Sequence, residues 1–189
     1  MLAETLKKSF DKYFIAPIEA WKEFAEFCEP VIFKKGQIIK PQGTSEKYFY
    51  FIIKGSAGIF LWKENNFVCL DFAFENSACC DYMSLLTKQP TELEVVALEK
   101  SEMIRISSNN FHNLSRKSVG QVIMQMTAEA SFVEKQQQQI ELLTKTAEKR
   151  YRILEAKFPN IHQRVAQKHI ASYLGITPQS LSRIRNTTN

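Results

Sequence analysis

The stretch from Ser118 to Ala147 limits the rest of the chain more than any other. With Val119 taken as a d position, Ile123, Met126, Ala130, Val133, Gln137, Ile140, Thr144 and Ala147 follow at alternating spacings of four and three. That is a heptad seam, and it predicts one long helix over 118–147. The KQQQQ run inside it is helix-forming and leaves the seam unbroken. Such a stripe must be covered, either by the chain's own body or by a second copy of the helix. The small Ala130 and the polar Gln137 suit a close two-helix approach, so a homodimer is expected.

The segments on either side have different textures. In residues 1–29, Leu6, Phe10, Tyr13 and Phe14 share one helical face, and after Pro17 a second helical spacing runs through Trp21, Phe24 and Cys28. From Val31 to about Ile106, short runs of Val, Ile, Phe and Tyr are broken by the turn signals KKG, PQG, KGS and ENN. YFYFIIKGSAGIFLW reads as two apolar strands around Lys54-Gly55, and DYMSLLTKQ as a helical turn or two. An antiparallel barrel or sandwich is the expected body.

Charge singles out the segment after the long helix. From Lys145 onward nine Lys and Arg stand against only Glu148 and Glu155, so this segment carries +7 of a chain whose net charge is +5, and the first 144 residues carry −2. A basic module on a mildly acidic body is the footprint of polyanion binding, although a solvated basic face has the same composition. Three helical patterns fill the module: EKRYRILEAKF, AQKHIASYL and TPQSLSRIRN. The last two meet the steric demands of a helix-turn-helix, with small Ala171 at the crossing, permissive Gly175 in the turn and Leu181 pinning the second helix. Ile170, Leu174, Ile176 and Ile184 complete the inward face, while Thr177 and Pro178 suit an N-cap and a first helical position. Gln179, Ser182, Arg183 and Asn186 then project outward, where Arg pairs with guanine and Gln with adenine in a major groove.

Other classes find little support. No apolar run approaches the roughly 20 residues of a bilayer span, and MLAETLKKSFDKYF lacks the apolar core of a signal peptide, so no membrane contact and a cytoplasmic location are expected. Cys28, Cys69, Cys79 and Cys80 form no C-x-x-C pair and read as buried thiols. His112, His162 and His169 are dispersed without metal-ligand or nucleophile spacing, so neither an enzyme nor a metal site is expected.

The order of elements, together with FKKGQIIKPQGT, YFYFIIKGSAGIFLW, SLLTKQPTELEVVALEKSEMIRI and HIASYLGITPQSLSRIRN, resembles the Crp/Fnr family of transcription regulators, most of all its short Bacteroidetes-type members. The resemblance implies an α+β fold: N-terminal helices and an antiparallel β-roll (a double-stranded β-helix like that of cyclic-nucleotide-binding domains) over 1–117, a dimerisation helix over 118–147, and an all-α helix-turn-helix domain over 148–189 without a full wing. It implies double-stranded DNA as partner, with Gln179, Ser182 and Arg183 matching base-contacting positions and Lys168, Thr177 and Ser180 matching phosphate-contacting ones.

The effector site departs from the family. Members that bind cyclic AMP carry Gly-Glu before the cassette helix and Arg-Ser/Thr-Ala after it. Here CDYMSLL and PTELE stand in those places, so Thr91 replaces the arginine and Glu92 adds a carboxylate. The exchange costs a cyclic phosphate on the order of 4 kcal/mol at an effective dielectric near 20. No cofactor is therefore expected, and cyclic nucleotide binding in the family manner is not. Asp81, Tyr82, Ser84, Thr91 and Glu92 are the candidate effector-pocket residues, for a ligand less anionic than a cyclic nucleotide. The alternatives are a pocket collapsed onto its side chains and, for the whole protein, a signalling scaffold with a vestigial DNA-binding tail.

Overall fold

A computed structural model describes residues 2–11, 15–64, 66–114 and 118–188, with the backbone alone described at 118, 119, 187 and 188. Tyr13, Phe14 and the side chain of Val119 lie outside the described residues. Two helices open the chain, α1 (Leu2–Phe10) and α2 (Ile18–Ala25). Leu6, Phe10, Trp21 and Phe24 are buried, and the Phe10 ring lies 5.6 Å from Trp21 and 4.8 Å from Phe51. Cys28 departs from the expected helical continuation: it begins a strand, because it pairs with Ile106 in an antiparallel ladder.

Eight strands come next: β1 (Cys28–Phe33), β2 (Ile38–Lys40), β3 (Tyr48–Lys54), β4 (Ala57–Lys63), β5 (Asn66–Ala73), β6 (Ala78–Cys79), β7 (Leu93–Ala97) and β8 (Ser101–Ser107). They form two four-stranded antiparallel sheets, ordered β1-β8-β3-β6 and β2-β7-β4-β5. β3 and β4 are consecutive in sequence yet belong to different sheets, so the chain crosses the roll at Gly55. Gly55 has φ +102, and a Cβ there would collide with the side chain of Ser101 and come within 2.8 Å of the Lys100 carbonyl. The helix α3 (Tyr82–Thr87) sits between β6 and β7, and α4 (Ser108–Leu114) follows β8. The expected α+β class and antiparallel roll are the observed ones.

The long helix α5 runs Ser118–Thr144. It stops short of Ala147 because Thr146 caps the next helix, its hydroxyl accepting from the Lys149 N–H at 3.3 Å. The predicted seam is only partly a free surface. Ile123 is 2% exposed within the core that α1, α2, α4 and the roll share, so that part of the seam is covered by the chain's own body. Phe132, Val133, Ile140 and Leu143 are instead exposed at 67%, 64%, 51% and 76%. Val133 and Ile140 are on the predicted seam, whereas Phe132 and Leu143 lie beside it, so the exposed stripe is wider than the seam.

Four helices close the chain: α6 (Ala147–Lys157), α7 (Ile161–Arg164), α8 (Gln167–Tyr173) and α9 (Pro178–Thr188). They pack on the outer face of β4 and β5, where Phe60, Cys69, Phe72, Phe74 and Leu98 form one apolar cluster with Tyr151, Leu154, Ile161, Ile170, Leu174 and Leu181. The basic module is thus built against the roll through a shared second core.

Candidate nucleic-acid interface and effector cavity

The α8–α9 pair has the steric features its sequence demands. Ile170, Ala171, Leu174 and Leu181 are each 1% exposed, and Gly175 turns the chain at φ +66. Thr177 Oγ1 accepts from the Ser180 N–H at 3.2 Å and lies 3.0 Å from its hydroxyl, fixing the start of α9. Thr177, Gln179, Ser182, Arg183 and Asn186 are exposed, and Ser180 is half-buried. Gln167 donates its Nε2–H to Ser182 Oγ at 2.7 Å and to the Pro178 carbonyl at 3.0 Å, tying the two helices together. Lys168 is exposed on α8, with Nζ 5.8 Å from the Phe67 ring.

The face of α8 away from α9 docks on β5. Ser172 Oγ accepts from the Cys69 N–H at 2.9 Å and donates to the Phe67 carbonyl at 3.2 Å. The His169 ring packs edge-on to Phe60 and Phe67 at 4.9 and 5.3 Å. Burial, with a contribution from the Lys168 charge, pushes its pKa down to about 4, so it is neutral at pH 7. Arg164 completes the joint. Its guanidinium holds Glu75 bidentately at 2.7 and 3.0 Å, Glu99 at 2.6 and 3.0 Å and the Gly55 carbonyl at 3.1 Å, and lies 4.8 Å from the Phe74 ring centre. Burial works against the Glu75 charge, yet the bonds from Arg164 and the Gly55 N–H outweigh it and hold the carboxyl below its ordinary range.

The cassette region contains a residue that the sequence reading missed. Lys40, at the end of β2 and 2% exposed, pairs with Asp81 Oδ2 at 2.9 Å. Its ammonium also donates to Thr91 Oγ1 at 2.8 Å and to the carbonyls of Leu93 and Thr91 at 2.7 and 3.3 Å. The Thr91 hydroxyl donates to the same Asp81 oxygen, and Asp81 Oδ1 accepts from the Ser84 N–H at 3.0 Å as the cap of α3. The cation that an anion would need is present but already surrounded by internal acceptors. Beside it Glu46, 4% exposed, accepts from the N–H groups of Lys47, Tyr48 and Asp81; burial raises its pKa, and those three donors oppose the rise. A lysine closing Ile-Ile-Lys before Pro-Gln-Gly reads as the exposed end of a strand, so only an inward-pointing register betrays it.

A cavity of about 560 Å³ lies between β5, β6 and α5. Asp81 and Tyr82 line it, whereas Ser84, Thr91 and Glu92 do not; Ser84 is buried with its hydroxyl donating to the Gln89 carbonyl, and Glu92 is exposed. The seam residues Met126 and Ala130 line it too, which adds to the departure of α5 from a purely intermolecular seam. All four cysteines are buried free thiols, and burial pushes Cys28 up to about 12. Among the described residues, no three His, Cys, Asp or Glu side chains are grouped to hold a metal ion, and no helix is long and apolar enough to cross a membrane.

Residues 30–118 match the family of the cyclic nucleotide-binding domain. The whole fold is similar to that of FixK2 from Bradyrhizobium japonicum, with TM-score 0.72 and 14% identity over 85% of this chain and 83% of that one. It is also similar to the c-di-GMP responsive global regulator CLP of Xanthomonas campestris, with TM-score 0.69 and 13% identity over 91% of each chain. The catabolite activator protein of Thermus thermophilus aligns with TM-score 0.58 and 18% identity over 95% of this chain and 85% of that one. At these identities the likeness establishes the fold. No curated protein sequence matches significantly. Domain and fold both agree with the resemblance read from the sequence.

Proposed function

We propose that this chain, which carries a cyclic nucleotide-binding domain and shares the Crp/Fnr fold, is a dimeric, sequence-specific DNA-binding transcription regulator whose cassette does not receive a cyclic phosphate. The observation that carries the DNA reading is the α8–α9 pair. Its turn is pinned by Gly175 and Leu181, and it leaves Gln179, Ser182 and Arg183 exposed on the module that holds the chain's excess positive charge. The exposed apolar stripe of α5 supports a two-fold dimer. Two copies of α9 would then read a pseudo-palindrome with half-sites about 34 Å apart. Lys40, already donating to Asp81, Thr91 and Leu93, supports the view that cyclic AMP and cyclic GMP lack a phosphate receptor here.

Footprinting of the purified protein should reveal a symmetric site. On that site Arg183→Ala should cost about 1–3 kcal/mol and relax specificity at one position per half-site. Lys168→Ala should weaken binding to all duplexes and reduce the steepness of the salt dependence by a log–log slope of about 0.9 for one phosphate contact. Equal losses on specific and random duplexes for both variants would refute sequence-specific reading and leave the scaffold reading in its place. Calorimetry showing micromolar, phosphate-dependent cyclic AMP binding would refute the cassette reading.

A further inference from the structure

One hydrogen bond between α8 and α9 has a forced direction. Gln167, the first residue of α8 and half-buried, holds its Nε2 3.0 Å from the Pro178 carbonyl and 2.7 Å from Ser182 Oγ. A carbonyl only accepts, so the end of the amide facing Pro178 is the NH2 group, and its second hydrogen goes to Ser182. The Ser182 oxygen is therefore the acceptor in this contact, and its own hydrogen needs another receptor. A helical serine often returns that hydrogen to the carbonyl four residues back. Here that carbonyl belongs to Pro178, and its two lone pairs are taken by Gln167 and by the backbone ladder of α9. The Ser182 hydroxyl hydrogen is left to the exposed side of α9, and the bond accepted from Gln167 polarises it into a stronger donor. Thr177 and Ser180 are under no such constraint: their hydroxyls lie 3.0 Å apart, and either can donate to the other.

We propose that Gln167 is a specificity-determining positioning residue: by holding the Ser182 oxygen as an acceptor, it makes Ser182 a hydrogen-bond donor toward the base edge in the major groove. An unconstrained serine pairs with donor and acceptor edges alike. A serine held in this way favours O6 or N7 of guanine, O4 of thymine or N7 of adenine. Cytosine presents only its N4 amino donor there, so it would leave the Ser182 hydrogen unpaired in a dehydrated interface. Preference at that base is thus set from α8, by a side chain that need not touch DNA. This role rests on the regulator reading of the α8–α9 pair.

The test is selection from a randomised duplex DNA library by the full-length protein and its variants, read as relative preference at each position. Ser182→Ala identifies the base that Ser182 reads, as the position where selectivity is lost. There the wild type should disfavour cytosine by about fivefold against guanine or thymine. Gln167→Met keeps the length of the side chain and removes both donors, so discrimination at that one position should fall below about twofold while the other positions keep theirs. Gln167→Glu puts an acceptor beside Ser182, which then donates inward and turns its lone pairs to the base, so cytosine should gain there. If Gln167→Met melts early, Gln167→Glu carries the comparison. Relative preferences are unaffected by a uniform loss of affinity, which is what a merely structural role of Gln167 would produce. If the wild type selects no sequence, the regulator reading fails and this role falls with it. If it selects a site but favours cytosine at the Ser182 position, or if the variants at Gln167 leave that position unchanged, only the role of Gln167 is overturned.

Discussion

At the scale of single residues, Lys40 and His169 illustrate opposite ways of burying a basic group. Lys40 is enclosed by acceptors, with Asp81, Thr91 and Leu93 arranged around its Nζ. Lys40→Met should cost about 3–5 kcal/mol in chemical denaturation, since Asp81 is then an unpaired buried charge. Adding Asp81→Asn should recover part of the loss; no recovery would mean that the lysine acts through packing alone. His169 instead gives up its charge between Phe60 and Phe67, with Lys168 adjoining. Its folded pKa, about 4, lies below the unfolded value near 6.5, so its contribution is complete above pH 6.5 and is lost as pH falls toward 4. The protection factors of the α8 amides, with the intrinsic exchange rate at each pH divided out, should therefore fall over that window, and His169→Leu should abolish that fall. The Glu75 carboxyl is held below its ordinary range by its bonds from Arg164 and the Gly55 N–H, against the effect of burial.

Among elements, α5 shows how a periodic pattern is shared between two tasks. Ile123 is buried in the chain's own core and Met126 lines the cavity, while Phe132, Val133, Ile140 and Leu143 are left exposed. A helix with such a stripe is stable in water mainly when the stripe is covered. Val133→Glu with Leu143→Glu should convert a dimer into a folded monomer in sedimentation, without moving the melting temperature of the roll. Met126→Glu should behave differently: it charges a wall of the cavity and should unsettle the contact of α5 with the roll. A wild-type monomer at micromolar concentration would contradict the assignment of this stripe to a partner helix.

For the whole molecule, the notable feature is that the basic module shares a core with the roll instead of hanging from α5 alone. Arg164 gathers Gly55, Glu75 and Glu99, from three different connections of the roll, onto α7. The joint is partly open to solvent, with the Arg164 side chain 30% exposed, so Arg164→Ala should loosen the module by about 1–2 kcal/mol and more weakly at high salt. Exchange should rise in α6–α9 and remain slow in β3 and β8. Uniform exchange across both regions would mean that the ion cluster holds nothing in place.

The features legible in sequence alone were those encoded by neighbours along the chain. The heptad spacing of α5, the turn glycines and the Ala171–Gly175–Leu181 spacing all come from local periodicity and backbone sterics, and so did the α+β class. Pairings between residues far apart needed tertiary structure: Lys40 with Asp81 over 41 positions and Arg164 with Glu75 over 89. A lone lysine after two isoleucines, or an arginine in a basic tail, has the same local signature whether it ends in water or against a buried carboxylate. The direction of α5 is left open by its sequence for the same reason. Spacing defines a stripe, but which part of the stripe meets the roll depends on where Ile123 finds its place in a core assembled from the whole chain.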